Sequence, residues 1–152
     1  MRRTYLVVVD ESTEAESALL FAARRAAKTD GGVHMLALVP KTQFVQWGSV
    51  QATIEEEARA RAEALAMSAA GTLMAEAGIQ PEITVKIGDP IASVKEMLSS
   101  GEPVAALVLG AAPKGSPGPL VAHFTSHDPG ALPCPLMIIP GGLSHEDIER
   151  LS

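Results

Sequence analysis

Hydrophobic positions along the chain alternate between short apolar runs and longer stretches with helical spacing. In the longer stretches, apolar side chains recur every three to four residues, which is the spacing of one helix face. Short strands that alternate with helices predict right-handed βαβ units and a parallel sheet covered on both faces. The five short runs that predict strands are Tyr5–Val9, Val33–Val39, Glu82–Ile87, Val104–Leu109 and Pro135–Pro140.

Capping residues mark the starts of two of the intervening helices. Thr13 followed by Glu16 predicts a capping box at the first helix, and Asp89 before Pro90 predicts an N-cap at the third. Residues 41–50, which include Phe44 and Trp47, show no period, and we predict a loop or lid there. The five predicted helices lie at about residues 13–28, 53–77, 90–100, 120–126 and 144–151.

The size and composition of the chain fit a single domain. Its 152 residues are 47% apolar but only 3% aromatic, so we expect a core of Ala, Val, Leu, Ile and Met side chains. We predict one domain over residues 1–143, followed by a short tail helix over 144–152. The single cysteine, Cys134, excludes an internal disulfide and fits a reducing compartment.

The charge balance argues against one large class of partner. The net charge is −6 and no basic face is visible, so we expect no binding to nucleic acid. No apolar stretch approaches the ~20 residues of a membrane span, and the N-terminus has no signal-peptide pattern. We therefore expect a cytoplasmic protein that does not contact a membrane.

Candidate chemistry follows the ends of three predicted strands. Asp10 comes after the first strand, Val39 ends the second, and a Gly/Pro-rich loop at residues 110–118 follows the fourth. In an open parallel sheet, ligands bind beyond the carboxyl ends of the strands, where the strand order reverses. The sequence therefore predicts a ligand site that brings Asp10 and this loop together.

Three short motifs resemble those of the universal stress protein family. They are VVDES at residues 8–12, IGDP at 87–90 and PCPLMIIP at 133–140. The resemblance implies a Rossmann-like, adenine nucleotide alpha hydrolase-like fold with five parallel strands in the order 3-2-1-4-5. It also implies a non-enzymatic stress-response or signalling protein that dimerises by pairing its last strands, here through Leu136, Met137, Ile138 and Ile139.

The phosphate loop of that family is only partly present. Members that bind ATP resemble one another in the pattern G-x2-G-x9-G-[S/T], whose glycines bring backbone N–H groups close to phosphates. Gly110 matches the first position, and Pro113 stands at the second. Counting back from the closing motif places Ala122 and His123 at the last two positions. We predict that the usual ATP site is lost or remodelled.

Two functions remain open at this point. The first is a module that acts through homodimerisation and protein contacts. The second is a protein that binds an adenine nucleotide, ATP or AMP, with Asp10 near the base and ribose, Val39 as an apolar wall and the 110–118 loop near the phosphates. In that loop Gly115, Ser116 and Gly118 offer a phosphate nest in another register with Lys114 supplying charge, and His123 is expected at the pocket mouth.

Other interpretations of these polar residues have less support. The Asp10 carboxylate could instead accept backbone N–H groups at the start of the first helix. His123 and His127 have the spacing of a helical metal pair, but the sequence offers no convergent third ligand. A Ser-His-Asp hydrolase built from Ser12 or Ser116 with His123 and Asp128 lacks a G-x-S-x-G elbow. We therefore predict no catalytic residues and no metal.

Overall fold

The computed structural model describes residues 2–39 and 48–152. Strands and helices alternate through this part of the chain, and a short 3-10 turn at Pro129–Ala131 precedes the last strand. The elements are β1 (Thr4–Val9), α1 (Thr13–Lys28), β2 (Gly32–Val39), α2 (Gly48–Ala77), β3 (Glu82–Ile87), α3 (Pro90–Ser100), β4 (Ala106–Ala111), α4 (Pro119–Ser126), β5 (Leu136–Pro140) and α5 (His145–Leu151).

The five strands form one parallel sheet with the order β3-β2-β1-β4-β5. This confirms the predicted α/β fold and its strand order. β1 lies in the middle, with Val7 paired to Met35 of β2 on one side and to Val108 of β4 on the other. The strand order reverses between β1 and β4, so the carboxyl ends of these two strands form the switch point at which a ligand site is expected.

Helices cover both faces of the sheet. Alternate β1 residues point to opposite faces, so Val7 belongs to a core shared with α1, α2 and α5, whereas Leu6 belongs to a core shared with α3 and α4. All five residues from Tyr5 to Val9 are at most 5% exposed. Burial on both faces explains why β1 is a continuous apolar run without polar alternation.

Several element starts differ from the prediction; β4, for example, begins at Ala106 rather than at Val104. The N-cap of α1 is Ser12 rather than Thr13, and its Oγ accepts a hydrogen bond from the backbone N–H of Ala15 at 3.3 Å. α2 begins at Gly48 rather than Thr53, so residues 48–50 are helical and not part of a loop. Gln51 and Ala52 are good helix formers, which lets the helix extend beyond its apolar stripe. The rest of the predicted lid, with Phe44 and Trp47, lies outside the described residues.

The predicted start of the 110–118 loop also needs correction. β4 runs through Gly110 to Ala111, so both residues belong to the strand. A Cβ atom at position 110 would overlap the backbone carbonyl of Glu14 in the first turn of α1. Glycine therefore allows the end of β4 to pass directly against the α1 backbone. The primary role of Gly110 in this structure is close packing.

The C-terminal helix α5 packs onto the sheet's α1 side. Its Ile148 is 1% exposed and joins the core that contains Val7 and Ala22. Lys28 Nζ at the end of α1 donates to the Glu149 carbonyl oxygen at 2.7 Å. Within the described chain, no helix is both long and apolar enough to cross a membrane.

Candidate functional site

A pocket of about 210 Å³ lies at the carboxyl ends of β1 and β4. We call it the carboxyl-edge pocket. Its floor is apolar, and its rim is formed by the first turns of α1, α3 and α4. The lining residues are Val8, Leu38, Leu109 and Val121 from the core, Asp10, Ser12, Glu14 and Ala15 at the start of α1, Pro90 at the start of α3, and Gly110 with Pro117, Gly118, Pro119 and Leu120 before and within α4.

Asp10 lines this pocket and also organises the start of α1. Its Oδ1 accepts a hydrogen bond from the backbone N–H of Ser12 at 2.8 Å and another from the Ser12 hydroxyl. The Ser12 oxygen in turn caps the Ala15 N–H. The Asp10 carboxylate therefore accepts a backbone N–H at the start of α1, which is the alternative role considered for this residue.

The loop after β4 turns away from the pocket. The Ala112 N–H donates to the Pro117 carbonyl at 3.2 Å and closes the loop at its base. Residues 113–116 lie beyond this closure and are all exposed, and the residues among them expected to bind phosphate (Lys114, Gly115 and Ser116) do not line the pocket. Of the predicted nest, Gly118 lines the pocket, together with Pro117.

The helix that follows the loop begins earlier than the motif alignment implied. Gly118 is the N-cap of α4, with φ of 114°, and Pro119 is its first residue. Ala122 and His123 lie inside the helix and do not open it. The helix opens eight residues after Gly110, whereas the motif pattern separates its first and third glycines by thirteen, so the loop before α4 is shorter than the pattern requires. Gly118 and Pro119 therefore occupy the helix-opening positions.

Two further predicted site residues lie elsewhere. Val39 packs against the core on the α1 and α2 side, and its neighbour Leu38 lines the pocket. This follows from the alternation of side chains along a strand. His123 lines a separate groove beside α3, together with His127. Of the seven predicted site residues, the structure brings Asp10 and Gly110 to the pocket.

The imidazole of His123 is held between two other rings. It meets the buried Phe124 ring edge to face at 5.1 Å and stacks on His127 at 4.5 Å. Desolvation lowers the pKa of His123, and the nearby His127 and Lys95 lower it further, while Asp89 opposes them. No group of three or more His, Cys, Asp or Glu side chains that could hold a metal occurs among the described residues.

The charge of the carboxyl-edge pocket was not foreseen from the sequence. Among its described lining residues, the charged side chains are Asp10 and Glu14, and both are acidic. The positive ends of two surrounding helices already face carboxylates, because Asp10 and Glu14 lie at the start of α1 and Asp89 caps the Ala92 N–H at the start of α3. α4 has no side-chain cap. The sequence did contain a signal for the acidity of the pocket, because Glu14 lies in the first turn of the helix that follows β1.

An open parallel sheet with a cleft at its switch point defines a doubly wound α/β protein of the class that binds small ligands beyond its strand ends. Comparison with known proteins narrows this class. The model of the universal stress protein family matches residues 1–140. The chain therefore belongs to the universal stress protein family.

Solved structures support the same fold. A universal stress protein from Lactobacillus plantarum superposes with a TM-score of 0.74 at 17% identity, covering 91% of this chain and 99% of the other. One from Archaeoglobus fulgidus gives 0.69 at 19% identity, covering 91% and 99%. A family protein from Arabidopsis thaliana with AMP bound gives 0.61 at 18% identity, covering 91% of each chain. No curated protein matches the chain.

Proposed function

We propose that this chain is a non-enzymatic universal stress protein module that acts through homodimerisation and protein contacts, and that its carboxyl-edge pocket does not hold the phosphates of a nucleotide. The observation that carries the proposal is the charge of the pocket. Its charged lining residues in the described chain are the carboxylates of Asp10 and Glu14.

A phosphate group in this pocket would meet like charge. A helix N-terminus carries only about half a positive elementary charge, which one carboxylate outweighs. Pro119 at the first position of α4 has no N–H to donate, and the N-cap Gly118 has no side chain to offer. Lys114 could supply positive charge, but it lies on the exposed part of the loop.

The size and floor of the pocket suit a small uncharged group. At about 210 Å³ the pocket is smaller than the roughly 300–1,000 Å³ typical of sites for drug-sized ligands. Val8, Leu38 and Leu109 present an apolar surface on which a heterocyclic ring could lie. A nucleobase or nucleoside is therefore a better fit than a nucleotide.

The polar groups of the pocket also favour a role without catalysis. Ser12 donates its hydroxyl to Asp10 and accepts from the Ala15 N–H, so its hydrogen-bonding capacity serves the helix start. His123, the base considered for a hydrolase, lines a different groove. These contacts leave no serine–histidine pair in the pocket that the described residues form.

The two edges of the sheet differ in a way that supports dimerisation through β5. The edge strand β3 carries the charged residues Glu82 and Lys86, and Lys86 pairs with Glu96 at 2.8 Å. Charge on an edge strand discourages pairing with another chain. The other edge, β5, is uncharged, and its Ile138 is 38% exposed. A second copy that paired with β5 would cover Ile138 and the ladder groups beside it.

A thermal-shift experiment separates this proposal from nucleotide binding. A ligand above its Kd raises the unfolding midpoint. We expect no shift with millimolar ATP or AMP, with or without Mg²⁺. The second candidate, an adenine-nucleotide-binding protein, is favoured by the uncapped α4 N-terminus and by the AMP-bound relative. A saturable shift with AMP would establish that candidate and overturn the proposal.

The dimer is tested by light scattering after size-exclusion chromatography. Ile138→Lys places a charge on the β5 edge and is expected to convert a dimer to a monomer. Met67→Lys is the matched control, because Met67 is 66% exposed on α2 and away from β5. A monomeric wild-type protein, or a dimer that survives the Ile138 change, would contradict the proposed interface.

A further inference from the structure

A second concave surface lies on the α3 and α4 side of the sheet and shares no lining residue with the carboxyl-edge pocket. We call it the α3–α4 groove. Its volume is about 670 Å³, within the roughly 300–1,000 Å³ typical of small-molecule sites. It is lined by Lys95, Leu98 and Ser99 of α3, His123 and Phe124 of α4, and His127, Asp128, Ala131, Leu132 and Pro133 beyond α4.

One part of the groove is apolar. Leu98 and Leu132 are partly buried against the core that contains Phe124, which is itself 1% exposed. Pro133 continues this surface. An apolar group that packed here would leave water without disturbing any polar side chain, which is the main favourable contribution to binding in such sites.

The other part of the groove concentrates groups that are or can become cationic. Lys95 carries a permanent positive charge, and the stacked rings of His123 and His127 lie close enough to repel each other when both are protonated. Asp128 is the acidic residue in the lining, and Asp89 at the start of α3 acts on His123 from farther along that helix. His127 and Lys95 outweigh Asp89 at His123.

An anion at this position would offset the repulsion among the three groups. An ion with no apolar part would leave the Leu98 and Leu132 surface in water. A triphosphate would bring more negative charge than one lysine and one titrating histidine pair can neutralise, and Asp128 would repel it. The best match is a single carboxylate attached to an apolar body.

We propose that the α3–α4 groove binds a small organic acid, with its apolar body on Leu98 and Leu132 and its carboxylate facing Lys95 and the His123–His127 pair. The bound carboxylate favours the imidazolium form of His123, which His127 and Lys95 otherwise disfavour. Binding therefore takes up a proton, and affinity increases as the pH falls through the range in which histidine titrates.

The test is an NMR titration of the full chain with hexanoate as the probe. The observed signals are the methyl groups of Leu98 and Leu132 and the imidazoles of His123 and His127. We expect saturable shifts at millimolar hexanoate, and binding that tightens as the pH falls from about 7.5 to about 5.5, below the ordinary imidazole value, because the pKa of His123 is lowered. Hexanamide removes the charge and acetate removes the apolar body, so both are expected to bind more weakly.

Paired lysine variants show whether the charge of the groove is responsible. Lys95→Met should weaken hexanoate binding about two- to fivefold, the range of an exposed ion pair. Lys114→Met is the control, because Lys114 is exposed on the loop and lies outside the groove. Equal binding of hexanamide, equal loss in both variants, weaker binding at the lower pH, or no saturable shift with hexanoate would each overturn the proposal. None of these outcomes bears on the carboxyl-edge pocket.

Discussion

The carboxyl-edge pocket and the α3–α4 groove lie at opposite ends of the same short helix. The pocket is lined by the first turn of α4, from Gly118 to Val121. The groove is lined by His123 and Phe124, together with His127 just beyond the helix end. The pocket is acidic because Asp10 and Glu14 line it, although it sits at helix N-termini where anions usually bind. The groove lies near the C-terminus of α4, where a helix favours cations, and it is lined by Lys95, two histidines and Asp128.

This contrast shows that backbone geometry and side-chain charge can be set independently in one fold. The sheet and helix starts of the family are kept at the pocket, while its charge opposes a phosphate. Substitutions in the two regions test this contrast.

The floor of the groove is also part of the core, so Phe124→Ala should give the largest loss. Phe124 is 1% exposed, and its removal is expected to lower the free energy of unfolding by about 3–5 kcal/mol. Urea unfolding measures this loss. Phe124→Leu, which keeps more of the volume, should cost less. A small loss in Phe124→Ala would mean that the ring lies on a surface groove rather than in the core.

The base of the pocket depends on close packing of backbone, so Gly110→Ala should give the next largest loss. The added Cβ meets the Glu14 carbonyl, and we expect a loss of about 1–3 kcal/mol or more in the free energy of unfolding. Gly130→Ala is the control, since a Cβ there meets no atom within 4 Å. Equal stability of the two variants would contradict the role assigned to Gly110.

The acidity of the pocket predicts a gain of function. The double variant Asp10→Asn and Glu14→Gln keeps the hydrogen-bond acceptors but removes both charges. We expect calorimetry to detect AMP binding to this variant at millimolar concentration, where the wild type shows none. Removing the two charges should improve the affinity for AMP by roughly fivefold, or about 1 kcal/mol. Unchanged or weaker AMP binding, with adenosine binding retained, would show that these carboxylates do not exclude phosphate.

The smallest effect concerns the stacked histidines of the groove. Burial, His127 and Lys95 all lower the pKa of His123, so His127→Gln should raise that pKa toward its ordinary value without fully restoring it. An NMR titration of the imidazole signals measures the change. A His123 pKa that stayed the same or fell in the variant would contradict the arrangement of rings described here.

Local patterns in the sequence predicted much of the fold. The bounds of β3 at Glu82–Ile87 were correct, as was the N-cap at Asp89, because both depend on neighbouring residues. The strand order came from the resemblance to the family and was also correct.

The site was harder to predict because it depends on contacts between distant segments. Nothing near Gly110 in the sequence reveals that α1 crosses it, and the opening of α4 was misplaced because the loop before it is shorter than the family pattern. Whether Val39 or Leu38 lines the pocket depends on which face of β2 meets the pocket. A strand buried on both faces has no alternation of polar and apolar residues that would show this in the sequence. The sequence contained Asp10 and Glu14, but only the fold brings both to one rim.

The exclusion of phosphate from the carboxyl-edge pocket is tested most directly by comparing adenosine and AMP by calorimetry at low and high salt. Salt screens charge interactions between exposed groups. We expect AMP to bind more weakly than adenosine, and the difference to shrink as salt is raised, because the opposing interaction is repulsion from Asp10 and Glu14. AMP that bound more tightly than adenosine, and lost that advantage in salt, would show that the pocket attracts phosphate and would contradict the account.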